Sequence, residues 1–440
     1  MIDRATWTLA RTIAIAVVAL AAASAHAQLK IEITSGVTDP IPIAIVPFAR
    51  AIPVDGGLDV AAIVQQDLEG SGRFRAMPRS TMRVMPVRGN DVVIDDWRAD
   101  GNDYALVGRV SPLDGTQLAV DFELINLLNG QRLASQRFTG TQRALRNAAH
   151  RVSDVVYEKI VGVRGAFATR IAYVSVDGAP PARRWQLIVA DADGENFRPI
   201  TESHRPIMSP AWSPDGQWLA YVSFENRASS VFVQRVKTGE RRQVSARAGI
   251  NGAPVWSPDG KRLAITLGGS AGNLDIYLVD LTNQSQNLTR LTDDAAIDTE
   301  PAWAPDGKLL YFTSDRAGGP QIYRLTVGSN ERPRRITFGS GYNTRPRISP
   351  DGRELAMVTL DGSAYRVAVQ DLANGTVRVL SRGRLDESPS YAPNGAMLIF
   401  SGRDAGRTVL ATVSVDGLTS QRLKSDQGDV REPVWGPFLP

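Results

Sequence analysis

The sequence contains no cysteine. That absence removes disulfide stapling, thiolate metal sites, a cysteine nucleophile and anchorage through a lipidated cysteine, so stability has to come from packing. Histidine is almost as scarce, with three in 440 residues. One of them, His26, lies in the leader described below, which leaves only His150 and His204 for acid–base or metal chemistry, and a lone histidine is more often structural than catalytic. Charge of one sign is also lacking: 50 Lys and Arg stand against 46 Asp and Glu, a net +4 with no basic run, so nucleic acid is not an expected partner. Beyond the leader no apolar stretch approaches the roughly 20 residues a membrane-spanning helix needs. Turn-forming residues are abundant, 39 Gly and 26 Pro without a collagen period, in a chain long enough for more than one core.

Arg4 and Arg11 precede an apolar stretch from Ile13 to Ala23, and Ala25-His26-Ala27 then supplies the small residues of a cleavage site. Residues 1–27 therefore read as a secretory signal peptide, with the mature chain starting at Gln28. The apolar stretch is too short to cross a hydrocarbon layer of roughly 30 Å as a helix, so the expectation is a soluble protein of the bacterial periplasm with no direct membrane insertion.

One motif recurs through the rest of the chain. Pro210-Ala211-Trp212-Ser213-Pro214-Asp215-Gly216 has copies at Pro254–Gly260, Pro301–Gly307, Pro346–Gly352 and Pro389–Gly395, and a truncated copy at Pro433-Val434-Trp435-Gly436-Pro437. Trp212, Trp256, Trp303, Ile348, Tyr391 and Trp435 are spaced 44, 47, 45, 43 and 44 residues apart, the period of a four-stranded propeller blade. Asp-Gly or Asn-Gly supplies the hairpin turn, and second strands begin near Leu219, Leu263, Leu310, Leu355 and Leu398. Ile171–Ser175 matches a second strand but has no motif before it, whereas Trp435 has a motif and no second strand after it. Both deficits vanish if one blade is assembled from the two ends of the repeat region.

The segment before the repeats has another rhythm. Ile43–Pro47 reads as a buried strand, Leu58–Leu68 as a helix, 103–110, 117–126 and 131–139 as further strands, and Leu145 to Ile160 as an amphipathic helix. The expected fold is thus two-domain: a small N-terminal α+β domain over residues 28–168, followed by an all-β six-bladed β-propeller over residues 169–440 closed by the C-terminal strand.

Enzyme patterns are weak. Gly268-Gly269-Ser270-Ala271-Gly272 fits a nucleophile-elbow pattern but links two strands of a blade instead of opening a helix. Asp293, Asp294, Asp298 and Glu300 cluster in an interblade loop without the spacing of a calcium loop. Trp212, Trp256, Trp303 and Trp435 fit blade-to-blade packing better than ligand stacking. No catalytic residue, metal or cofactor is expected. Antiparallel connectivity sends the Asp-Gly turns to one face of the disc and the longer interblade loops to the other, which makes the loop face the expected docking surface. The mature N-terminus, Gln28 to Thr34, alternates apolar and polar residues; it can pair with another protein's sheet edge or serve as an edge strand of its own domain.

The signal peptide, Ile31-Glu32-Ile33-Thr34-Ser35-Gly36, Ile45-Val46-Pro47-Phe48, the α+β domain and the six terminal blades together resemble the TolB family, β-propeller components of the bacterial Tol-Pal envelope system. The resemblance covers essentially all of the mature chain. It implies a non-enzymatic periplasmic scaffold that binds the lipoprotein Pal through the interblade-loop face and TolA through the N-terminal segment, supporting outer-membrane integrity and cell division. Asn251-Gly252-Ala253-Pro254 and Thr299-Glu300-Pro301 match loop motifs at the Pal surface, and Ile250 stands where relatives often carry a histidine. The candidate Pal-binding residues are Arg205, Ile250, Asn251, Ala253, Asp298, Thr299, Glu300, Arg345 and Glu387. The candidate TolA-binding residues are Gln28, Leu29, Lys30, Ile31, Glu32, Ile33, Thr34, Ser35, Gly36 and Val37. Other Tol-Pal components are left open as partners. The competing expectation is a propeller that binds a small ligand in its channel or assists a periplasmic hydrolase.

Overall fold

The computed structural model of the protein describes residues 31–32, 39–51, 58–268, 272–282, 287–425 and 428–439. The signal peptide, Gln28 to Lys30, Ile33 to Val37, and Gly269, Ser270 and Ala271 of the elbow pattern lie outside the described residues. A two-residue strand, β1 (Ile31–Glu32), is followed by β2 (Ile41–Ile45), β3 (Ala49–Arg50), helix α1 (Val60–Gly70), β4 (Phe74–Ala76), helix α2 (Ile94–Ala99), β5 (Tyr104–Asp114), β6 (Gln117–Asn126), β7 (Arg132–Thr141) and helix α3 (Leu145–Val161).

Side-chain alternation gives the N-terminal sheet two apolar faces. Its order is β4-β2-β5-β6-β7, with β3 beside β5; β2 pairs in parallel with β4 and β5, and β5-β6-β7 is an antiparallel meander. Ile43, Ile45, Leu106 and Phe122 pack under Val64 and Leu68 of α1 and Val152 and Val156 of α3. The intervening Ala44, Val46, Ala105 and Val107 are covered from the other side by Met77, Met82, Val92 and Trp97. Asp59 starts α1 by accepting the backbone N–H of Ala62 at 3.0 Å, and Gly162 ends α3 at a φ of +83°. The short α2 and strands β3 and β4 were not legible in the sequence.

The remaining strands form six four-stranded antiparallel sheets. Blade two, for example, is Ile207–Trp212, Trp218–Ser223, Ser230–Arg235 and Arg241–Ser245. The motif works as read: Asp215, Asp259, Asp306 and Asp351 each accept the backbone N–H two residues on, at 2.8–3.0 Å, and the following glycines take φ values of +64° to +76°. Blade one joins the two ends of the repeat region, its first strand Asp429–Trp435 pairing with Arg170–Asp177 in the register Val430 to Ser175 and Trp435 to Ile171. An apolar cluster lies between each pair of neighbouring blades, and the last, with Tyr173 and Ile188 against Ile399 and Leu410, closes the ring. The tryptophans sit in these layers: Trp256 donates Nε1–H to Ala211 O of the neighbouring blade at 3.2 Å, and Trp435 donates to Thr169 Oγ1 at 2.8 Å.

The N-terminal domain caps the turn face at blades one and six. Arg146 of α3 reaches Asp191 and Asp193, Arg73 lies 3.3 Å from Asp416, and Asn394 Nδ2 donates to Arg164 O at 3.0 Å. Gly70 and Gly72, at the end of α1, abut Gln421 and Thr419 of blade six. One expectation is corrected here. β1 is not an edge strand of the N-terminal domain: its backbone pairs with Ser420–Arg422, the outer strand of blade six, placing Ile31 opposite Gln421.

Candidate functional site

The innermost strand of every blade carries the same irregularity. The ladder slips between Met208 and Ala211, Gly252 and Val255, Thr299 and Ala302, Thr344 and Arg347, Glu387 and Ser390, and Arg431 and Val434. Within each slip one residue other than glycine takes a φ of +43° to +57°: Ser209, Ala253, Glu300, Arg345, Ser388 and Glu432. Each precedes the proline of its motif, which already disfavours right-handed backbone there. Six such bulges at equivalent positions store backbone strain around one axis, and strain of this kind gathers where a surface is shaped for use.

These six residues line a cavity of about 240 Å³ at the loop-face mouth of the channel. Their charges interlock. Glu300 accepts the backbone N–H of Arg345 at 2.9 Å and the hydroxyl of Thr313 at 2.8 Å. The Arg345 guanidinium lies 3.5 Å from Glu300 and 3.9 Å from Glu432 and donates to Ser388 Oγ at 2.9 Å, while Glu432 also accepts the backbone N–H of Ser209. Burial opposes the charge on Arg345, but Glu300, Glu432 and Glu387 hold its pKa above the ordinary value. Burial pulls Arg347 the other way, with Arg345 adding to the effect. Met208 and Ile250 in the cavity lining stand 38% and 52% exposed, and Ile297 and Phe338, on interblade loops of the same face, 45% and 66%. Exposed apolar side chains beside a cavity whose charges are already paired are a candidate interaction surface.

Of the sequence candidates, Ile250, Asn251, Ala253, Thr299, Glu300 and Arg345 converge on this cavity. Arg205, on an interblade loop, and Glu387, at the start of the innermost strand of blade six, are exposed outside its lining. Asp298 is fully buried and held by Arg316 at 2.7 and 2.9 Å. Asn251 spends its side chain inside its own loop, accepting from Ser245 Oγ and Arg247 N and donating to Arg247 O at 2.6, 3.0 and 2.7 Å. Ser209, Ser388 and Glu432 belong to the site and were missed, although the position before each motif proline would have found them. The acidic loop meets arginines throughout: Asp293 is 2.8 Å from Arg290, and Asp294 is 3.6 Å from Arg316. Among the described residues, Asp67, His150 and Asp193 bring side-chain nitrogen and oxygen atoms within 4.8 Å of one another, and Arg146 already pairs with Asp193. His204 is exposed, with Nδ1 3.3 Å from Arg183 O.

Comparison with known proteins agrees with this architecture over most of the chain. A family model for the TolB amino-terminal domain matches residues 29–133, and one for the TolB β-propeller domain matches residues 157–439. A Tol-Pal system protein TolB from Xanthomonas campestris pv. campestris is 44% identical over 417 residues, 93% of each chain, and one from Xanthomonas euvesicatoria pv. vesicatoria is similar to the same extent. The crystal structure of TolB from Acinetobacter baumannii superposes with a TM-score of 0.85 at 39% identity, covering 93% of this chain and 100% of that one. With its blades, its amino-terminal domain and these relatives in agreement, the chain belongs to the TolB family of Tol-Pal system proteins.

Proposed function

We propose that the protein is a non-enzymatic periplasmic adaptor of the Tol-Pal complex. It binds Pal on the interblade-loop face and TolA through Gln28 to Val37, and so supports outer-membrane integrity and invagination during division. One observation carries the reading: the N-terminal domain sits on the turn face at blades one and six, while the loop face keeps Met208 and Ile250 exposed at the strained, charge-neutralised mouth and Ile297 and Phe338 exposed on its loops. Burying an Ile or a Phe side chain contributes about 1.5–3 kcal/mol, so a few such anchors suffice for a specific interface. A cavity of about 240 Å³ is smaller than the roughly 300–1,000 Å³ of ordinary small-ligand sites, which favours a protein partner over a ligand in the channel.

Calorimetric titration of the mature chain with the soluble domain of Pal tests this. Ile250→Asp combined with Phe338→Asp is expected to weaken binding at least tenfold, about 1.4 kcal/mol, without changing the melting temperature. Undiminished affinity in that double variant would remove the loop face from the interaction.

A further inference from the structure

The seam between the N-terminal domain and blade one is built around a buried histidine. His150, on α3, is 2% exposed. Its Nδ1 lies 2.8 Å from Asp67 Oδ2 on α1, and Ser153 donates its hydroxyl to the same oxygen at 2.6 Å. On the opposite side of the ring, Nε2 has no hydrogen-bond partner and faces Asp193 Oδ2, which belongs to a turn of blade one, at 3.8 Å. Arg146 and Asp154 flank His150 four residues away on either side, so the three form one stripe on α3. Arg146 contacts Asp193 and lies 3.3 Å from Asp191. Asp154 accepts the backbone N–H groups of Phe167 and Ala168 at 2.7 and 3.3 Å, fixing the stretch that enters blade one. The charged groups around the ring are thus Asp67 from α1, Arg146 and Asp154 from its own helix, and Asp191 and Asp193 from the propeller.

The position of one proton decides the sign of this contact. A neutral imidazole that keeps Nδ1–H on Asp67 turns a lone pair from Nε2 toward the Asp193 carboxylate, which is repulsive across a buried interface. An imidazolium presents N–H to both carboxylates and joins two domains through one ring. We propose that His150 is a proton-operated latch: protonated, it bridges Asp67 and Asp193 and holds the N-terminal domain on blade one, and loss of the proton loosens the seam.

Burial works against the charged ring, but Asp67 and Asp193 outweigh both burial and Arg146 and hold its pKa up at about 9, against an ordinary 6.5. Because the folded value is the raised one, the stabilisation is fully present below the ordinary 6.5 and is lost as pH rises through about 9. Asp154, pushed up to about 6 mainly by burial, titrates chiefly below pH about 7, at the acid end of that window. The loosening centred near 9 therefore belongs to His150.

The absence of cysteine lets spin labels be placed cleanly, at Asp95→Cys on the N-terminal domain and Lys237→Cys on blade two, both exposed. Double electron–electron resonance on the mature chain is expected to give one narrow distance distribution at pH about 7 that broadens through a midpoint near 9. His150→Gln, which keeps a donor for Asp67 and loses the charge, should show the broad distribution already at pH about 7. Asp193→Asn, in a turn at the seam and outside the hydrophobic cores, should lower the midpoint by at least about one pH unit, a tenfold change in proton affinity, and serves also if the His150 variant fails to fold. A distribution unchanged between pH about 7 and about 10, or an Asp193→Asn midpoint equal to that of the unsubstituted protein, would overturn the latch.

Discussion

At the scale of single residues, two glycines separate conformational strain from steric exclusion. Gly239 and Gly194 both occupy third-to-fourth-strand turns, with φ values of +76° and +85°. A Cβ on Gly239 would meet no atom within 4 Å, so Gly239→Ala should cost only the left-handed penalty, about 1–2 kcal/mol. A Cβ on Gly194 would lie 2.0 Å from the carbonyl oxygen of Lys424, backbone of the neighbouring blade that cannot rotate away. Gly194→Ala should therefore add an overpacking cost of about 1–3 kcal/mol at the junction of blades six and one. Urea denaturation of the two variants checks this, and equal losses would contradict the close approach. The same scale shows where sequence reading stops. His150 looks solitary because Asp67, its nearest partner, lies 83 residues away along the chain, and Asn251 looks like a contact residue until its polar atoms are found engaged inside their own loop.

At the scale of elements, the Pro-x-Trp copies made the blades legible because each joins a strand end to a turn with a fixed chemical solution. The same motif located the closing strand: Trp435 without a second strand and Ile171 without a first are complementary halves, and Val434 indeed pairs with Ala172. The elements that escaped have no such signature. β1 is held by backbone pairing at two positions, α2 has no side-chain cap, and the parallel pairing of β2 with β4 leaves no local trace. The bulge ring was half legible: Ala253 and Glu300 stand in loop motifs that the resemblance singled out and Arg345 ends an interblade loop, while Ser209, Ser388 and Glu432 stand in stretches matched to no such motif. Removing the chain from Pro433 onward deletes the second half of the closing strand, leaves part of the Arg170–Asp177 edge unpaired and uncovers Tyr173 and Ile188. Such a truncation should lose its cooperative thermal transition or melt at least about 5 °C lower, read by circular dichroism, since each kcal/mol is worth about 1–2 °C in a chain of this size. An unchanged melting curve would mean that the ring does not need its last strand.

At the scale of the whole molecule, the propeller distributes its contacts by position: innermost bulges at the loop-face mouth, the N-terminal domain on the turn face, and β1 against the outer strand of blade six. The mouth and β1 belong to opposite radial limits of the disc, so among the described residues none in the cavity lining pairs with Ile31 or Glu32. If the loop face takes Pal and the segment takes TolA, the two captures should be genetically separable. Deleting residues 28–38 removes one strand pair from an edge that is otherwise complete and leaves the six bulges, the Glu300–Arg345–Glu432 network and the exposed Ile250 and Phe338 in place. The deleted chain should fail to capture TolA and still capture Pal, with a Kd shifted by less than about tenfold, or about 1.4 kcal/mol. Parallel pull-downs with purified partners and calorimetry on the retained complex provide the check. Loss of Pal binding together with TolA binding would show that the segment, rather than the bulge ring alone, builds the Pal surface, while retention of TolA would transfer that contact to another part of the N-terminal domain.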